Sequence, residues 1–277
     1  MTQLQSKTFE LLKIVVAICE KWSIPYYLVC GSALGAVKYG GFIPWDDDID
    51  VGLLRADYER FLEIAPGEIP DWCFLQNYKT EKLFSQTYTK LRNSNTTFIE
   101  ADVAQVEMNH GIYLDIFPID GYPRNAFEIK IFELRRRING WVRSSIYENH
   151  PMEKIRKRNR ILRFLGVHKK ADRAHARLEK MYARYSTGQS DLWCNFGNWQ
   201  GKLEYAPKWH YGEGTYADFE GLRVRIPENF DAYLTQKYGD WRSDPPVEAQ
   251  KTHHLSTVID TEKPYTLYMH ADRAGRN

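Results

Sequence analysis

The sequence predicts an α+β protein: a mixed β-sheet core flanked by helices, with a basic helical insertion. Three observations carry that expectation. Apolar residues recur at helical spacing before residue 22, then give way between residues 72 and 119 to short runs patterned like strands. Residues 125 to about 185 return to a helical period and are crowded with Lys and Arg. Between these regions, Cys30 to Gly52 combines a Gly-Ser pair with alternating aspartates. A chain of 277 residues is long enough for one large domain or for a core with an elaborate insertion. We divide it into a core over 1–120, a basic helical region over 121–190 and an aromatic-rich C-terminal part over 191–277 that completes the site.

Residues 4–22 read as a helix whose apolar face is Leu4, Leu11, Leu12, Val15, Ile18 and Cys19, ended by Ser23 and Pro25. Residues 26–30 are a core strand feeding Gly31, 33–39 a short helix broken by Gly40-Gly41, and 46–54 a second strand. A helix over 57–65 is stopped by Pro66-Gly67, and strands follow at 72–78, 86–92, 97–100 and 112–117. In the basic region Phe127, Ile131, Leu134, Ile138, Trp141 and Ser145 step by three or four and make one apolar stripe. Residues 222–226 read as a strand, 228–238 as a helix, and Asp244-Pro245-Pro246 as a rigid turn.

Composition narrows the function. A net charge of +2 argues against a dedicated nucleic-acid binder, and no nucleic-acid partner is expected. Cys19, Cys30, Cys73 and Cys194 are far apart and form no C-x-x-C pair, which fits a reducing compartment without a zinc cluster. No apolar run approaches the roughly 18 residues of a spanning helix, so the expected location is cytoplasmic, or at most peripheral at the inner face of the cell membrane through the basic helices.

If residues 46–54 are extended, Asp46, Asp48 and Asp50 share one face, roughly 6.6 Å apart in steps of two. Like charges so aligned call for a cation, and an oxygen-only donor set suits Mg²⁺, with Mn²⁺ as the alternative. An EF-hand does not fit, because Val51 and Asp57 stand where Gly and Glu belong. Gly31 lets backbone approach a ligand, and Ser32 can begin a helix whose N-terminus favours an anion. Asp115 is flanked by apolar residues in Y-L-D-I-F-P, making it either a core anion or a third metal-site carboxylate. Asp120, just past Pro118, reads as a turn or cap residue. Tyr88, Lys90 and Arg92 share a strand face that either lies exposed or holds a nucleotide diphosphate.

Gly31-Ser32, G-G-F-I-P-W-D-D-D-I-D-V from Gly40 to Val51, Y-L-T-Q-K-Y-G-D-W from Tyr233 to Trp241, and His253-His254 together resemble the LicD family over nearly the whole chain. The resemblance implies a nucleotidyltransferase-like fold in which a Gly-Ser turn, an Asp-x-Asp pair and a later carboxylate form the site. Carried onto this sequence, it implies catalytic, Mg²⁺-holding roles for Asp48, Asp50 and Asp115, with Gly31, Ser32, Lys38, Asp46, Lys90, Arg92, His253 and His254 contacting substrate. Lys38 stands where the family is expected to show Arg, so bidentate phosphate gripping is lost there. The implied reaction moves phosphocholine from a CDP-choline donor to a glycan or polyisoprenyl-linked oligosaccharide acceptor, a precursor of teichoic acid or lipopolysaccharide. Another nucleotide-linked group, such as a polyol phosphate, is the alternative donor cargo, and a non-catalytic nucleotide- or glycan-binding module is the alternative of another class. Of Trp193, Phe196, Trp199, Tyr205, Trp209 and Tyr211, some are expected to surround choline.

Overall fold

A computed structural model describes residues 1–148, 150, 152–197, 203–252 and 254–269. Helix α1 (Gln3–Lys21) opens with a capping box: Thr2 Oγ1 accepts from the Gln5 N–H at 3.1 Å, and the Gln5 side chain accepts from the Thr2 N–H at 2.8 Å. Leu11, Leu12, Val15 and Val16 bury its apolar face in the main core. Strand β1 (Tyr27–Leu28) leads into α2 (Cys30–Tyr39), then β2 (Asp50–Leu54) and α3 (Arg55–Ile64). Strands β3 (Cys73–Gln76), β4 (Thr89–Asn93), β5 (Thr97–Glu100) and β6 (Ile112–Gly121) follow. The basic region forms α4 (Ala126–Ser144), α5 (Glu153–Phe164) and α6 (Ala171–Tyr182). The remainder supplies β7 (Leu192–Asn195), β8 (Tyr205–Pro207), α7 (Lys208–Tyr211), β9 (Thr215–Phe219), β10 (Leu222–Ile226), α8 (Phe230–Tyr238), β11 (Ser256–Asp260) and α9 (Thr266–Met269).

The result is a mixed sheet flanked by helices, with strand order β1-β2-β6-β4-β3 and β7 and β8 added beside the far end of β6. Strand β6 is its axis, buried along all ten residues and parallel to β2. Pro118 is tolerated there because one neighbour of β6 changes from β4, whose pairing with β6 reaches Ile116, to β7, whose pairing starts from Ile119. Asp120 is therefore a strand residue and not a turn or cap. It is fully buried and receives the Arg55 guanidinium through two bonds, Nε to Oδ1 at 2.7 Å and Nη2 to Oδ2 at 2.6 Å.

Other boundaries also moved. Helix α2 starts at Cys30, so Gly31 and Ser32 lie in its first turn, and β2 enters its ladder only at Asp50. The apolar stripe of α4 faces largely outward: Phe132 and Ile129, on another side of the helix, reach the cluster with Leu178, Tyr182 and Phe196.

Candidate active site

Strands β2 and β6, the loop before β2, the start of α2 and the end of α8 meet at a cavity of about 820 Å³. Its lining includes Gly31, Lys38, Asp46, Asp48, Asp50, Asp115 and His254. Asp50 lies opposite Asp115 in the parallel register, so both carboxylates leave one face of the sheet from strands about 4.8 Å apart. Asp46 and Asp48 reach the cavity from the loop, keeping the expected alternation although the ladder has not yet begun. The loop is held by Gln5, whose Nε2 donates to the Asp46 carbonyl at 2.8 Å.

Helix α2 is fitted closely to these carboxylates. A Cβ at Gly31 would come 2.9 Å from Asp46 Oδ2, and Ser32 Oγ accepts from the Asp50 N–H at 2.8 Å. Ser32 is buried and couples the helix start to the acidic strand. Cys30 takes φ +52°, a left-handed conformation that costs energy for a non-glycine residue, and its N–H donates to the Tyr233 hydroxyl at 3.1 Å. Lys38 Nζ sits 2.6 Å from Asp244 Oδ1 and donates to the Trp241 carbonyl at 3.2 Å, closing the loop after α8 over the cavity.

The cavity's electrostatics are those of crowded acids. Burial, with the Asp48 and Asp47 charges, pushes the Asp46 carboxyl up to about 7. Burial chiefly, then the Asp48 and Asp115 charges, holds Asp50 well above the carboxylate range. Asp48 and Asp115 are also raised by burial, against the pull of His254 and Lys90 respectively. Burial would lower the His254 pKa, but its hydrogen bond to Asp47 and the charges of Asp48 and Asp47 hold it at about 9. Strand β11 carries His254 to the site by pairing with β5, placing Nδ1 2.8 Å from Asp47 Oδ1 and Nε2 3.5 Å from Asp48 Oδ2.

Lys90 and Arg92 do not meet the cavity as expected. Lys90 is buried, with Nζ 3.3 Å from both Asp115 Oδ1 and Glu100 Oε1. Arg92 is fully buried behind it, donating to Gln76 Oε1, the Gly111 carbonyl and Glu100 Oε2. Burial alone would raise Glu100, yet Lys90 and Arg92 overcome it and hold that carboxyl at about 2. The two cations thus form a buried support for Asp115 and not a surface for phosphate. His253 lies outside the described residues.

The expected aromatics are elsewhere too. Trp193 and Tyr211 pack with Tyr233, Phe196 and Tyr205 pack around Tyr122, Trp209 is exposed, and Trp199 lies outside the described residues. The rings lining the cavity are Tyr39, Trp45, Tyr88, Phe117, Tyr238 and Trp241. Lys237, also in the lining, is paired at 2.8 Å with buried Glu204. Tyr238 and Trp241 belong to the 233–241 stretch, whose pattern was legible although no side-chain role was.

The donor set fits a divalent cation. Asp115 Oδ1 is buried without a hydrogen-bond donor, its 3.3 Å approach by Lys90 being an ion-pair contact only. Among the described residues, Asp47, Asp48 and His254 are the one group of three whose ligand atoms all lie within 4.8 Å of one another. Asp48, Asp50 and Asp115 are not gathered as tightly, as three like charges should not be.

A profile of the family described as LicD/FKTN/FKRP, nucleotidyltransferase domain, matches residues 23–160. The lipopolysaccharide cholinephosphotransferase LicD of Haemophilus influenzae is 30% identical over 256 residues, covering 86% of this chain and 90% of that protein. Human ribitol 5-phosphate transferase FKRP is 28% identical over 121 residues, covering 44% of this chain and 21% of that protein.

Proposed function

Because the chain belongs to the LicD family of phosphotransferases, we propose that it moves phosphocholine from CDP-choline to a sugar hydroxyl of a cell-surface glycan precursor, releasing CMP. The observation that carries this reading is the placement of Asp46, Asp48, Asp50 and Asp115 in one cavity with aromatic walls. In this reading Asp48, Asp50 and Asp115 hold Mg²⁺. The ion supplies charge neutralisation of the diphosphate and of the departing CMP. Backbone N–H groups in the first turn of α2 and the Lys38 ammonium bind and orient the donor's phosphates. The acceptor oxygen attacks the choline-bearing phosphorus, the bond from that phosphorus to the bridging oxygen breaks, and CMP leaves with the bond's electron pair. Asp115, held beside Lys90, either completes that set or takes the acceptor's proton in its place. In this reading the quaternary ammonium packs against rings of the cavity lining, with Trp45, Tyr238 and Trp241 as its contacts.

The similarity to a ribitol 5-phosphate transferase supports a second reading, in which the cargo is a polyol phosphate. Competition between donors separates the two. With Mg²⁺ and a glycan acceptor, CMP release is expected from CDP-choline, and Trp241→Ala should raise the KM for CDP-choline by roughly tenfold, the loss of one aromatic contact to a cation. Turnover of CDP-ribitol in preference to CDP-choline would overturn the choline assignment, and turnover of neither would overturn the transferase reading.

A further inference from the structure

Helix α4 carries an apolar face that is left largely exposed by the described residues. Phe127, Leu134, Ile138 and Trp141 fall on one side of it by helical spacing and are 73%, 58%, 47% and 45% exposed. Exposed Lys130 and Arg137 flank the stripe on one side and exposed Arg135 on the other. Helix α5 reaches the end of the stripe, where Arg158 lies over the Trp141 ring at 5.9 Å. It adds a second exposed set at i, i+3 and i+4, namely Ile161, Phe164 and Leu165, preceded by exposed Lys154 and Lys157. Between positions 126 and 170 there are thirteen Lys and Arg against four acids.

From this pattern we propose that the outer face of α4, extended by α5, docks the protein on an anionic membrane surface, the rings and aliphatic chains entering the interface while the flanking cations meet lipid phosphates. A stripe of large apolar residues bordered by Lys and Arg is the signature of a helix lying in the interface plane. No helix among the described residues is long and apolar enough to cross a membrane, so the contact is peripheral. A second copy of the chain is the poorer occupant, because a two-fold contact through this face would bring Arg135, Arg137 and Lys130 against the same cations. The inference goes beyond the transfer reaction and does not depend on the donor's identity.

Sedimentation with vesicles tests it. The full chain is expected to sediment with vesicles of phosphatidylcholine and phosphatidylglycerol and much less with phosphatidylcholine alone, the difference shrinking as salt rises. Leu134→Ser with Ile138→Ser should weaken binding to the anionic vesicles by at least about tenfold, and Arg135→Gln with Arg137→Gln should remove the preference for them. These positions are exposed and outside the cavity, so both variants should keep wild-type melting and CMP release from a soluble acceptor. Binding indifferent to lipid charge, or unchanged in both variants, would overturn the proposal. So would sedimentation-velocity detection of a dimer that Leu134→Ser with Ile138→Ser dissociates, which would assign the face to a second copy.

Discussion

Asp50→Asn is expected to reduce CMP release by at least about 10³-fold, more than the roughly 10–100-fold that follows loss of an outer-shell metal partner. The substitution keeps the shape of the side chain, so it isolates charge. Stability should move the other way. A carboxyl whose pKa is raised on folding costs stability once the pH exceeds its unfolded value, and Asp50 is raised chiefly by burial and then by Asp48 and Asp115. Without divalent ions at neutral pH, the Asn variant should therefore melt at or above the wild-type temperature. Wild-type turnover would remove Asp50 from the chemistry, and a large fall in melting temperature would show that its charge is structural. The sign of the effect is that of a site in which function opposes stability.

Asp120→Ala should destabilise the fold by about 3 kcal/mol, the low end for stranding one member of a buried ion pair, and lower the melting temperature by roughly 6–12 °C. The low end applies because Arg55 keeps Glu179 at 3.3 Å and the Tyr58 ring at 5.5 Å. The pair joins the start of α3 to the far end of β6, so the loss acts on the sheet axis that carries Asp115. Thermal unfolding checks it, and Arg55→Met with Asp120→Leu should recover much of the loss, since apolar pairs of matched volume replace buried ions well. A melting temperature unchanged in Asp120→Ala would mean that the two charges contribute nothing net.

The acidic centre was legible because its signal is local. Alternation fixes which aspartates share a side, and a carboxylate inside Y-L-D-I-F-P is costly without a partner. The resemblance joined these two segments, and the register of β2 on β6 brings them together in space. What stayed hidden depends on contacts distant in sequence. Arg92 looks like a phosphate ligand on a strand face until Glu100 and Gln76 are seen to enclose it. Asp120 looks like a cap until β7 is seen to prolong the ladder past Pro118. Periodicity announced an apolar stripe on α4 but not which way it faces, and did not single out Phe132 and Ile129 as the inward anchors. The cavity's rings come from α2, the acidic loop, β6 and the end of α8 as well as from Tyr88, so no single crowded stretch could have revealed them.

In the proposed reaction, carboxylates from β2 and β6 hold divalent metal against a diphosphate. Titration of Mn²⁺ into the protein with CDP-choline, followed by the paramagnetic resonance of free Mn²⁺, tests it most directly. Uptake is expected in the wild type and in His254→Gln, and a loss of affinity of at least about tenfold in Asp50→Asn and in Asp115→Asn. Wild-type uptake by the doubly substituted Asp50→Asn, Asp115→Asn protein, with loss in His254→Gln, would contradict the account and move the ion to Asp47, Asp48 and His254.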